Sequence, residues 1–210
     1  MNDEGKITID ERLARMVSFV FHPLFMPLYG LVILLSAPTF LKYLPPAAKR
    51  VLFLVLLVNN VLIPLLLLPF LRIRNFITSY HLDDRRERII PMLTASILYF
   101  TTSFIVLRYQ VPFFLKSFIF ATAVLSIIVS MVNFWWKISV HAVGAGALTA
   151  TVFSLWIKMY TPLPLHLIAV ILLSGTILAA RLRLNSHDPM QVWTGYLTGF
   201  IVLVLFILLI

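Results

Sequence analysis

Long apolar stretches alternate with short polar breaks along almost the whole chain. A helix that crosses the hydrocarbon core of a bilayer takes about 20 mostly apolar residues. Stretches of that kind cover 17–41, 50–71, 90–109, 113–134, 139–159, 163–182 and 190–210. The pattern predicts an all-α, polytopic transmembrane bundle of about seven spans, with 1–210 forming one integral membrane domain and no soluble one. The division is weakest within 90–134, where two spans nearly merge.

Punctuation inside the spans adds detail. Span 1 contains His22, Pro23, Pro27 and Pro38, which predicts a kink whose freed backbone groups are covered by neighbouring helices. Span 2 carries Asn59, Asn60 and Pro64 at mid-membrane. Those amides are expected to bond between helices, worth about 0.6–2 kcal/mol each. In span 5, Ala142, Gly146 and Ala150 fall four apart, and Gly195 and Gly199 repeat that spacing in span 7. Such small-residue faces let another helix approach closely, whether within the chain or in a homodimer.

Counting crossings from the N-terminal side puts Arg72 to Arg88, Lys137 to His141 and Arg181 to His187 all at one membrane face. That arrangement is what a pocket with a single mouth requires. The opposite face offers Lys42, Lys49, Arg50, Arg108, Lys116, Lys158 and His166, so only six of the 17 Lys and Arg lie there. Taken plainly, the bias puts the N-terminal face in the cytoplasm. Without Arg85, Arg88 and Arg181 the margin nearly vanishes, and the orientation stays open.

With 61% hydrophobic and 12% charged residues and a mean hydropathy of +1.00, an ordinary soluble domain is excluded. The absence of cysteine excludes disulfides, thiolate metal sites and cysteine nucleophiles. Met1 to Glu11 mixes Lys6 with Asp3, Glu4, Asp10 and Glu11, unlike the basic start of a cleaved signal peptide, so the first span is expected in the mature protein. The net charge of +9 sits in short loops at span ends. That fits lipid headgroups and a phosphate-bearing ligand better than nucleic acid.

Three constellations carry candidate chemistry. In Arg181-Leu-Arg-Leu-Asn-Ser-His187-Asp-Pro-Met-Gln191, Asp188 and Pro189 read as the N-cap and first position of span 7. Gln191 then stands where it can complete a capping box. His187 falls beside a helix N-terminus, which suits a phosphate, with Arg181 near enough for a bidentate clamp. The plain alternative makes Arg181 and Arg183 interfacial anchors and Gln191 a cap. In Trp135-Trp136-Lys137-Ile-Ser139-Val-His141, His141 must face protein or cavity. It is either a satisfied interhelical bond or a proton donor or acceptor opposite His187. In Asp84-Arg85-Arg86-Glu87-Arg88-Ile-Ile-Pro91, the charges read as a solvated face, except that Arg88 at the start of span 3 can point into the bundle mouth. Arginines, two histidines and a helix N-terminus, with no metal set, suit phosphate handling.

These residues resemble the type-2 phosphatidic acid phosphatase superfamily over about residues 80–200. The third motif of that family is Ser-Arg, five residues, His, three residues, Asp; here Arg181, His187 and Gln191 keep the spacing, with Gly195 trailing. Ser139-Val-His141 resembles the second motif, Pro-Ser-Gly-His, and Asp84 to Pro91 loosely resembles the first. The resemblance implies a six-helix core and a metal-independent enzyme without cofactor, acting on an isoprenoid or glycerolipid phosphate. His187 would be the nucleophile and His141 the general acid. Arg181, Arg88 and Arg85 would hold the phosphate, assisted by the backbone near Ser139. It also carries the expectation of a bacterial cytoplasmic membrane. Gln191 replaces the Asp that orients the nucleophile, Val140 replaces Gly, and Ile138 and Ala180 replace Pro and Ser. A phosphatase and a non-catalytic binder or transporter of a phosphorylated lipid both stay open, as does a bis-histidine haem on His141 and His187.

Overall fold

A computed structural model describes residues 8–80 and 86–209, which form a helical bundle without strands among the described residues. Among the described residues, seven helical stretches are long and apolar enough to cross a membrane: Ile9–Ser36, Pro46–Ile73, Ile89–Leu107, Phe113–Trp135, Val140–Met159, Pro164–Arg183 and Pro189–Leu209. The chain is an integral, multi-pass membrane protein. The first two crossings are each broken, giving α1 (Ile9–Val20) and α2 (Met26–Ser36), then α3 (Pro46–Leu57) and α4 (Ile63–Ile73). The remaining five are α5 (Ile89–Leu107), α6 (Phe113–Trp135), α7 (Val140–Met159), α8 (Pro164–Arg183) and α9 (Pro189–Leu209).

Most boundaries fall within a few residues of the apolar stretches. The exception is the first span, which begins at Ile9 rather than 17. There α1 is amphipathic: Asp10, Glu11, Arg12 and Arg15 lower its hydropathy while Ile9, Leu13, Met16 and Phe19 stay exposed on its outer side. Thr8 and Glu11 close a capping box at its start, satisfying two of the N–H groups that a helix N-terminus leaves open. Span 1 ends at Ser36 because Pro38 follows. The stretch 90–134 divides at Arg108 to Pro112.

Both helix breaks have proline causes. Pro23 cannot donate a backbone N–H, and a short 3₁₀ turn, Pro23–Phe25, joins α1 to α2. In span 2, Pro64 has no N–H to give the carbonyl of Asn60. The backbone widens into a π turn over Val58–Leu62, in which the Ile63 N–H reaches back to the Val58 carbonyl. Asn60 is buried there, and its Oδ1 accepts from the Thr102 hydroxyl on α5 at 2.7 Å. Asn60 thus makes the expected bond between helices; among the described residues, Asn59 makes none.

The bundle is built around α7. Of its span, 72% is buried, against at most 50% for any other. It packs on α9, α8 and α2, and its Ala- and Gly-rich face makes that possible. A Cβ on Gly146 would meet the Tyr196 carbonyl of α9, and one on Gly199 would meet the Val143 carbonyl of α7. The two backbones therefore touch. These small-residue faces are filled within the chain, where the sequence also allowed a homodimer. Hydroxyl pairs join the other layers: Ser96 with Ser130 at 2.9 Å between α5 and α6, and Thr149 with Ser174 at 3.0 Å between α7 and α8.

Gly146→Ala should force α7 and α9 apart and destabilise the fold by about 1–3 kcal/mol or more. A lowered thermal midpoint in detergent would show it. Gly175→Ala is the control, because its added methyl group meets open space. It should leave the midpoint unchanged or raise stability by up to about 1 kcal/mol through helix propensity. Equal behaviour of the two variants would contradict the α7–α9 contact.

Candidate functional site

The loop between α8 and α9 is shaped by its own sequence. Asn185 adopts the left-handed conformation at φ 49°, which Asn tolerates better than most residues. It closes α8 with bonds from the Ser186 N–H to the Arg181 carbonyl and from the Asn185 N–H to the Leu182 carbonyl. The chain turns back at once. Asp188 then caps α9, its Oδ1 accepting from the Gln191 N–H at 2.8 Å. His187 lies between these two signals and is buried.

Gln191 completes only half of a capping box, because its side chain goes elsewhere. Its Oε1 lies 2.8 Å from His187 Nδ1. An amide oxygen can only accept, so Nδ1 carries the proton and Nε2 is left with a bare lone pair. Among the described residues, Nε2 has no hydrogen-bond partner. Gln191 also accepts the Ser139 N–H through its backbone carbonyl at 3.3 Å. One residue thus ties the start of α9 to the start of α7.

His141 opens α7 and meets the broken first span. Its Nε2 lies 3.0 Å from the Ser18 carbonyl, one of the last carbonyls of α1, which have no partner within that helix. The carbonyl accepts, so His141 Nε2 carries a proton and Nδ1 is its other face. The Ser18 hydroxyl accepts from Arg181 at 3.1 Å. His22 stands at the break itself, packed edge-on against His141 with ring centroids 5.7 Å apart. Its Nδ1 accepts the Leu24 N–H at 3.4 Å.

Arg88, His141, Arg181, His187 and His22 line the mouth of one cavity of about 280 Å³. Val140 to Thr151 of α7 follow its wall, a depth of about 16 Å at 1.5 Å per helical residue. Elsewhere the lining is mostly apolar, with Leu67, Leu68, Phe118, Leu125, Val129 and Leu148, interspersed with the hydroxyl residues Thr122, Ser126 and Thr151. A polar mouth over an apolar channel is the shape of an amphiphile. Arg181 lies within electrostatic reach of all three histidines. Arg88 and Lys137 act on His187, while His141 feels both His187 and His22. His141 is packed against His22 and shares the cavity lining with His187.

His187 sits outside the spans, and burial above all lowers its pKa from 6.5 to about 4. The Gln191 bond pulls upward, and the charges of Arg88, Arg181 and Lys137 push further down. The imidazole is neutral at pH 7.

Four residues singled out in the sequence, His187, His141, Arg181 and Arg88, thus share one cavity, and Gln191 holds the first of them. His141 makes the interhelical bond, to the Ser18 carbonyl, and its ring also lines the cavity. Ser139 does not line the cavity: it is fully buried and its N–H is held by Gln191. Arg85 lies outside the described residues. Arg183 points away, 3.6 Å from Asp10 in an exposed pair that contributes little. Sequence reasoning missed Ser18 and His22. An imidazole beside a proline inside an apolar span was the available signal for His22; nothing local marked Ser18. Among the described residues no cluster of three or more His, Asp or Glu is placed to hold a metal ion. No family model, no curated protein and no solved structure matches the chain.

Because His187 stays neutral down to about pH 4, its carbethoxylation should persist at pH 5, where an ordinary histidine is mostly protonated. Mass spectrometry of the peptide carrying His187 reads this directly. A midpoint near pH 6.5 would contradict the buried, cation-flanked environment.

Proposed function

We propose that the chain is a divergent type-2 phosphatidic acid phosphatase. It would hydrolyse a membrane lipid phosphate or diphosphate without a metal, in a bacterial cytoplasmic membrane. The observation that carries this reading is His187: a buried imidazole with Nδ1 held by Gln191 and a bare Nε2, beside two arginines at the mouth of an apolar channel. Motif spacing and order support it as well.

In the proposed reaction the lipid chain lies in the channel and Arg88 and Arg181 hold the phosphoryl oxygens. His187 Nε2 attacks phosphorus and the bond to the leaving oxygen breaks; His141, protonated on Nδ1 by the acidic proton that the bound phosphate monoanion brings, gives that proton to the leaving oxygen. Water then attacks the phosphohistidine. Neutral His141 takes its proton, the N–P bond breaks, and phosphate leaves. The Ser18 carbonyl keeps His141 oriented through both steps.

One observation favours a second reading, a protein of the same build that binds or moves a phosphorylated lipid. Gln191 orients His187 but brings no negative charge to stabilise it as imidazolium. A haem between His141 and His187 fits poorly, since the Arg181 charge lies close to both rings.

Phosphate release from a panel of lipid phosphates and diphosphates by the detergent-purified protein separates these readings. Under the phosphatase reading, His187→Ala should lower turnover by at least about 1,000-fold, and an acid-labile phosphoenzyme should be trapped on the wild type only. Gln191→Asp should raise turnover by about tenfold or more by supplying the missing charge. Arg181→Ala should weaken ligand binding under both readings. Tight binding without turnover on any lipid would overturn the enzyme in favour of the carrier.

A further inference from the structure

His22 has no counterpart in the three motifs, yet it lines the same cavity. Its Nδ1 accepts the Leu24 N–H within the proline turn, so in the neutral ring the proton sits on Nε2. No hydrogen bond fills that Nε2–H among the described residues. A donor held this way inside a membrane bundle, at a half-buried position, is expensive to leave unpaired.

Its place beside His141 indicates what it meets. His22 packs edge-on against His141 with ring centroids 5.7 Å apart, and His187 lines the same cavity. In-line displacement puts the leaving oxygen on the side of phosphorus opposite His187, next to His141. Whatever that oxygen carries extends toward His22 and Arg181. If the leaving group is a plain lipid alcohol, the His22 N–H faces hydrocarbon. If it is itself a phosphate, the N–H and the Arg181 charge both find oxygen acceptors.

We infer that His22 is a specificity residue which reads the leaving group: its Nε2–H bonds a leaving phosphate, and the site prefers a lipid diphosphate over the monophosphate of the same chain. This rests on the phosphatase reading above and deepens it. The bond cleaved is the one between the terminal phosphorus and the bridging oxygen. His187 takes the terminal phosphoryl group, His141 protonates the bridging oxygen, and a lipid monophosphate departs. His22 donates a hydrogen bond throughout and transfers no proton.

The test compares dodecyl diphosphate with dodecyl phosphate as substrates of the wild type, His22→Ala and His22→Gln. Methylenediphosphonate and methylphosphonate serve as non-hydrolysed ligands, with affinities read by thermal shift. The wild type should favour the diphosphate in both measurements. His22→Ala should cut that preference by about tenfold or more, the size expected when a polar recognition contact is lost. His22→Gln, which keeps an N–H at similar reach, should retain most of it. An unchanged preference in His22→Ala would overturn the assignment, as would equal losses on both substrates, which would make His22 merely structural. Absence of turnover on both substrates by the wild type counts against the phosphatase reading alone, and the two phosphonate affinities then decide on His22.

Discussion

A carbonyl freed inside a bilayer has no water to turn to, and leaving it unpaired costs several kcal/mol. Pro23 creates that problem by ending α1 in mid-span. The protein answers it with side chains from other parts of the chain. The Val20 carbonyl takes the Tyr29 hydroxyl at 2.7 Å, and the Ser18 carbonyl takes His141 Nε2 at 3.0 Å. The second bond repairs the backbone and orients an imidazole at the cavity mouth. Because the Ser18 hydroxyl also accepts from Arg181, one residue of a broken helix positions two residues from distant helices.

The other requirement is that two polar breaks, some fifty residues apart, meet. Contact between α7 and α9 achieves it, since glycine at 146 and 199 lets the backbones touch. Their N-termini then lie side by side, close enough for the Ser139 N–H to reach the Gln191 carbonyl. Gln191 uses its N–H on Asp188, its carbonyl on Ser139 and its side chain on His187. Two of these bonds fix its backbone, and from that fixed point its side chain orients the His187 ring.

Much of this was legible in the sequence. Crossing parity alone put Arg88, His141, Arg181 and His187 at one face, because each span reverses the chain. The small-residue spacing in spans 5 and 7 announced a close helix pair, though not which helices would pair. Two features escaped for physical reasons. The polar half of α1 hid a helix from hydropathy, since a helix with exposed Asp10, Arg12 and Arg15 beside exposed Ile9, Leu13, Met16 and Phe19 is amphipathic and needs only one apolar stripe. Ser18 escaped because its role rests on a backbone carbonyl, which every residue possesses. His22 looked like part of a proline kink, and its proximity to His141 depends on how α2 packs against α7.

The amide at position 191 fits the electrostatics of this mouth better than the motif comparison alone suggests. Arg88, Arg181 and Lys137 all act on His187, so the ring stands in a field that disfavours its protonation. A carboxylate in place of Gln191 would cancel part of that field, help the ring carry positive charge, and weaken the attraction for an incoming anion. The amide keeps the tautomer through the same Nδ1–H bond while leaving the field intact. Under the proposed phosphatase reading, it would favour capture of a phosphate over stabilisation of a phosphorylated ring.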